Sequence, residues 1–249
     1  MKTKILIQGL ALFFLAGCAE MQQAAKSIYN DQQSLSQSEM IAGLKQALTV
    51  GVDSSVAHLS APNGYLKDQA VKILLPPEAD VITENLGKLP GGQQLVDKVI
   101  TSINRAASDA AKEATPVFLN SIRKMTISDA AGILKGGDHA ATEYLKRTSY
   151  DALVNLYQPK IQNSLEEKLA GNLSAQQSWD ELTGRWNKVA NSAIGQMANL
   201  EPVETNLGTY LTQRALDGLF LKIGETEENI REDPVARVTD LLKRVFAKQ

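Results

Sequence analysis

The chain has 249 residues, with 26 Lys and Arg against 28 Asp and Glu, a formal net charge of -2, and a single cysteine. This balance argues against nucleic acid as a partner, because domains that bind it carry a basic surplus. One cysteine allows no intrachain disulfide, so a fold of this length is held by its hydrophobic core.

The first seventeen residues predict an export signal. Lys2 and Lys4 form a positive start, Ile5 to Leu15 an apolar stretch broken only by Gln8 and Gly9, and small residues precede Cys18. The stretch is shorter than the ~20 residues that span a bilayer. Leu15-Ala16-Gly17-Cys18 resembles the bacterial lipobox. The resemblance implies cleavage before Cys18, diacylglycerol on its thiol and further acylation, by palmitate or a similar chain, at the new N-terminus. A lone free thiol is otherwise unusual in an exported protein. Each buried methylene contributes ~0.8 kcal/mol, and stable anchoring takes more than one chain. Alanine rather than aspartate at position 19 implies the outer membrane, and the expected address is its periplasmic face. Lys2 and Lys4 are the only charges in residues 1–17, so the mature chain keeps 24 basic and 28 acidic residues.

Residues 18–35 are polar and glutamine-rich after the cysteine and are expected to be a tether. Seventeen residues reach roughly 60 Å when extended, or about 20–25 Å as a coil. The folded domain is expected over 36–249. Ser36-Gln37-Ser38-Glu39 fits a capping box. Ile41, Leu44, Leu48, Val52, Val56 and Leu59 then mark one helical face to about Ser60. Ala61-Pro62-Asn63-Gly64 ends that helix. Val71 to Leu75, bounded by Pro76-Pro77, reads as an extended packing segment because no partner strand is evident. A short helix is expected over Glu78–Leu86, and Pro90-Gly91-Gly92 closes the region.

A helix follows from about Gln93, carrying Leu95, Val96, Val99, Ile100, Ile103, Ala106, Ala107 and Ala110. Pro116 either kinks it or opens a separate helix through Val117, Phe118 and Ile122. Thr126-Ile127-Ser128-Asp129 predicts the start of a short helix ending at Lys135. Gly136-Gly137 punctuates, and Asp138 is placed to cap the next helix, which carries Tyr144, Leu145, Leu153 and Leu156 toward Pro159. Trp179, Leu182, Trp186, Val189 and Ala193 share a face, as do Val203, Leu207, Tyr210, Leu211, Leu219, Phe220 and Ile223. Asp233-Pro234 fits an N-cap with proline at the first helical position, before Leu241, Leu242, Val245 and Phe246. No internal repeat is evident. The expectation is an all-α, single multi-helix domain of about eight to ten helices with one short extended segment.

Met125 to Asp138 and Ala140 to Thr148 resemble the central signature of the bacterial domain-of-unknown-function family 4197. Ile41 to Leu48, Ala215 to Phe220 and Arg237 to Lys243 resemble its other parts, so the likeness covers roughly 38–247. His139 and Leu74 depart from it, where an acid and a proline are expected. The resemblance implies a secreted or lipid-anchored helical domain and brings no activity or catalytic residues.

The most site-like feature is the turn Gly136-Gly137-Asp138 with Lys135, Arg147 and Thr148 near it in sequence. A glycine turn opening a helix exposes amides that can hold a phosphate or lipid headgroup. The competing reading is that Gly136 ends one helix and Asp138 caps the next. Two histidines, His58 and His139, and no free thiol do not make a zinc site, and no serine elbow is present. Glu227-Glu228, with Glu225, Arg231 and Glu232, reads as a solvated surface. No cofactor is expected. Three functions remain open. The first is a non-enzymatic envelope protein that binds a protein partner. The second is a carrier of a lipid or small apolar ligand in a cavity lined by Trp179, Trp186, Tyr210 and Phe220. The third is an enzyme with an unfamiliar site at Gly136–Thr148.

Overall fold

Ser36 opens the described chain with a reciprocal cap: its hydroxyl accepts from the Glu39 amide, and the Glu39 carboxylate accepts from the Ser36 amide. The computed structural model describes residues 36–80, 92–170, 173–202, 206–237, 239–240 and 243–244. The lipobox, the tether and the apolar residues 241, 242, 245 and 246 lie outside them. Helix α1 spans Gln37–Ser60 and buries Leu44, Leu48, Val52, Val56 and Leu59, the face read from the spacing. It ends at a tight turn where Asn63 is left-handed, with φ 62°. A Cβ at Gly64 would stand 2.3 Å from the Leu59 carbonyl oxygen, so only glycine fits there. Helix α2, Gly64–Lys67, follows and buries Tyr65.

Residues 72–76 form neither helix nor strand, and Pro76 is extended. The segment is held by a side chain in place of a strand. The Ile73 amide donates to Asn104 Oδ1 (2.9 Å), and Asn104 Nδ2 donates to the Ile73 carbonyl (2.8 Å) and to that of Ile100 (2.7 Å). Asn104 is fully buried, and this two-way pairing meets the polar demand of a chain segment taken into the interior. A 3-10 turn over Pro77–Ala79 stands where the short helix was expected to begin. Residues 81–91 lie outside the described residues.

Helix α3 spans Gly92–Ala111, and Pro116 sits in the first turn of a separate helix α4, Ala114–Lys124. Helix α5, Ile127–Lys135, has Thr126 and Asp129 as a second capping box. Helix α6, Ala140–Glu166, runs through Pro159, where the sequence pointed to a stop. Pro159 is exposed, and buried Tyr157, Ile161 and Leu165 flank it. Their packing outweighs the one backbone bond that proline removes. A small antiparallel ribbon, β1 Lys168–Ala170 and β2 Leu173–Ser174, leads into α7, Ala175–Ala190. Helix α8, Ala193–Met197, is short, and α9, Leu207–Glu232, is the last long helix before a 3-10 turn at Pro234–Ala236.

The described residues thus hold nine α-helices in one all-α domain. Helices α6 and α9 form its centre, with α1, α3 and α4 packed around them. Phe118 meets Phe220 edge-on at 5.9 Å between α4 and α9. Where α9 passes Val71 it needs a small residue, because a Cβ at Gly218 would lie 3.0 Å from the Cβ of that side chain. No helix among the described residues is long and apolar enough to cross a membrane.

Candidate functional site

The turn between α5 and α6 brings two helix ends of opposite polarity together. The last carbonyls of α5 carry partial negative charge, and the first amides of α6 carry partial positive charge. The sequence assigned the capping of α6 to Asp138, but His139 occupies the N-cap and no side chain of the turn bonds the amides. Glu227, reaching across from α9, takes them. Its Oε1 accepts from the Ala141 amide (3.0 Å), and its Oε2 accepts from the Thr142 amide (2.8 Å) and the Thr142 hydroxyl (2.8 Å).

Arg231, one turn further along α9, locks the carboxylate. Its Nε and Nη2 donate to Glu227 Oε1 at 3.0 and 2.8 Å, and Nη2 also donates to the Ile133 carbonyl in the last turn of α5 (3.1 Å). The two side chains are only 9% and 10% exposed. Acid meets the amide-rich end of one helix and base the carbonyl-rich end of the other, which is the favourable sense for both dipoles. Arg237 then donates to the carbonyls of Ile230 (3.0 Å) and Arg231 (2.7 Å), closing the end of α9. Beside the clamp is a small apolar cavity of about 30 Å³ lined by residues such as Leu44, Val52 and Ile223, room for about one water.

Glu227 and Arg231 were therefore misread from sequence as solvated surface. Glu225, Glu228 and Glu232 are exposed as expected. The missed signal is the spacing: Glu227 lies between Ile223 and Ile230, both buried, on the core-facing stripe of α9.

The six candidate residues of the turn do not converge. Lys135, Gly136, Gly137 and Asp138 are exposed. The Gly136 amide is spent on the Ile133 carbonyl, 3.2 Å away. Arg147 lies over the Tyr144 ring at 5.6 Å and 3.9 Å from Asp129. Thr148 turns its hydroxyl back to the Tyr144 carbonyl (2.9 Å). Burial raises the Tyr144 phenol above its ordinary range, with Asp129 adding and Arg147 opposing. The hydroxyl itself is engaged with the Ser121 carbonyl. The amides that might have held an external anion already hold an internal one.

The aromatic residues suggested as a cavity lining are also dispersed. Phe220 is buried against Phe118 and stacks on Tyr150. Trp179 is buried, and the side chain of Trp186 lies outside the description. Tyr210 lines a surface groove of about 450 Å³ between residues 70–74 and α9, together with Arg214, Asp217 and Leu221. Leu74 and Leu221 are 55% and 44% exposed there. The Ile73 amide and carbonyl point to Asn104. A polar groove of about 680 Å³ between α3 and α6 mixes Asp97, Lys98, Arg105, Asp109, Lys160 and Glu167. Among the described residues no group of three or more His, Cys, Asp or Glu is placed to hold a metal.

Fold and site together define an all-helical domain whose best-built polar cluster is an internal clamp joining three helices. The chain belongs to the family described as protein of unknown function DUF4197, whose model matches residues 34–247. No curated protein matches the chain, and no solved structure does.

Proposed function

We propose that this chain is a lipid-anchored, non-enzymatic domain of the bacterial cell envelope that holds a segment of a partner protein in the groove beside residues 70–74. The observation that carries the reading is the groove itself, about 450 Å³, which places two exposed leucine side chains, Leu74 and Leu221, beside Arg214 and Asp217 at one place on the surface. A partner segment can seat apolar side chains in such a groove. The anchor is supported by Cys18, the single cysteine, behind a short apolar segment that ends in small residues.

The test has two parts, both made in cells that express the full chain. Labelled palmitate should enter the wild type and not Cys18→Ala. A photo-crosslinking amino acid at Leu74 or Leu221 should give a discrete protein adduct, whereas the same group at exposed Lys112 should not. Equal adducts at all three positions, or none at the groove, would remove the partner-binding assignment.

A further inference from the structure

The turn between α1 and α2 carries the one asparagine of the chain that a glycine follows, Asn63 before Gly64. That pair has a reaction of its own. A glycine carries no side chain to shield its nitrogen, so the nitrogen can attack the side-chain amide carbon of the asparagine before it. The Gly64 nitrogen gives its proton to water or a buffer base and bonds to Asn63 Cγ. The Cγ–Nδ2 bond breaks, Nδ2 leaves as ammonia, and the ring that forms is a succinimide. Water then opens the ring at either carbonyl and leaves aspartate or isoaspartate at position 63, with no change in oxidation state. The isoaspartate form adds one methylene to the main chain.

The folded turn opposes each part of this. Asn63 stands at φ 62° and ψ 29°, where its Cβ and the Gly64 nitrogen lie on nearly opposite sides of the Cα–C bond, whereas the attack needs them side by side. The Gly64 amide donates to the Ala61 carbonyl (2.8 Å), and the Asn63 carbonyl, in the same peptide unit, accepts from the Lys67 amide (2.9 Å). Turning that unit breaks both bonds. Gly64 is also wedged under the end of α1, where the His58 and Leu59 carbonyls leave no room for a Cβ. The next residue is the anchor: Tyr65 is fully buried, and its hydroxyl donates to the Ala215 carbonyl (2.9 Å). Across the turn, Asp68 accepts from His58 Nε2 at the end of α1 (2.9 Å) and from Lys222 on α9 (2.8 Å). Asn63 itself is half-buried and its side chain does not cap α2, so the backbone geometry is what withholds the reaction.

We infer that Asn63-Gly64 is a modification site gated by this turn. Closed, the turn keeps the pair unreactive. Each local opening that frees Gly64 and Tyr65 exposes it. The isoaspartate product cannot close the turn again, because its extra methylene has no space under Leu59. The modification marks, irreversibly, those chains whose α1–α2 turn has opened.

The test keeps the full chain in detergent and mildly alkaline buffer, either folded or in concentrated urea. Isoaspartate at 63 is followed by peptide mass mapping and by enzymatic methylation of isoaspartate. In urea Asn63 should react ahead of every other asparagine. In the folded chain its rate should be lower by roughly a hundredfold, the factor set by breaking the two turn bonds and exposing Tyr65. A folded rate equal to that in urea, or no preference for Asn63 in urea, overturns the site. Asp68→Ala releases the turn from His58 and Lys222 and should raise the folded rate severalfold. Thr126→Ala removes the cap of α5, beside the first half of α1, and should leave that rate unchanged. Equal acceleration by both places the gate in global unfolding and refutes the local one. Asn63→Gly accepts the left-handed backbone, cannot form the ring and should keep the unfolding midpoint of the wild type. Chain converted in urea should refold to a lower midpoint, and an equal midpoint would refute the effect on the turn.

Discussion

Replacing Glu227 with alanine removes the one carboxylate that serves three helices. The change leaves the Ala141 and Thr142 amides without their acceptor. It also deprives the Arg231 guanidinium, 10% exposed, of its two bonds to Glu227. Breaking a buried pair by deleting one partner costs about 3–5 kcal/mol. The slight exposure places this pair at the low end, so the expected loss is about 3 kcal/mol. Domains have only ~5–15 kcal/mol in hand, so the effect should be plain in urea unfolding followed by helical ellipticity, as a lower midpoint with an unchanged slope. Glu227→Gln keeps an acceptor for the amides and should lose about half as much. Hydrogen exchange should speed up at 141 and 142 before the rest of α6. Two results would refute the reasoning: a loss below about 1 kcal/mol, or additive effects of Glu227→Ala and Arg231→Ala in a double-mutant cycle, because a coupled pair cannot be additive.

Three further outcomes are expected. Asp68 is held at a pKa of about 2, chiefly by its bond to Lys222, with His58 and the Ala70 amide adding and burial opposing. The folded state thus binds that proton less tightly than the unfolded chain. Its contribution of about 2 kcal/mol is full above about pH 5 and is lost as pH falls from about 4 to 2. Asp68→Asn should flatten that part of the acid-unfolding curve, and an unchanged curve would contradict the assignment. Asn104→Ala leaves the Ile73 amide and carbonyl unpaired. It should cost about 3 kcal/mol and open residues 71–76 to limited proteolysis ahead of global unfolding. Gly64→Ala forces a methyl against the Leu59 carbonyl and should lower the melting temperature by an amount equivalent to about 2–3 kcal/mol. A neutral substitution there would show that the turn can relax.

Elements whose signals are local were legible along the chain. The capping boxes at Ser36 and Thr126, the apolar stripe of α1, its end at Ser60 before the turn Ala61-Pro62-Asn63-Gly64 and the short helix ending at Lys135 all follow from neighbours within four or five residues, and each stands where it was read. The family also followed from residues read in order. Tertiary structure decided what depended on distant partners. The segment at 72–76 is held by Asn104 on another element, and α6 passes Pro159 because the residues around it are buried. Glu227 and Arg231 look like surface charges in a polar run, and only the packing of α9 against the α5–α6 turn takes them inside. Lys135, Asp138, Arg147 and Thr148 lie close along the chain, yet their side chains do not converge: Arg147 lies over the Tyr144 ring and Thr148 turns back to the Tyr144 carbonyl. Proximity in sequence fixes caps and turns because their bonds span one turn. A binding surface needs groups converging from separate elements, and that convergence exists only after the helices have packed.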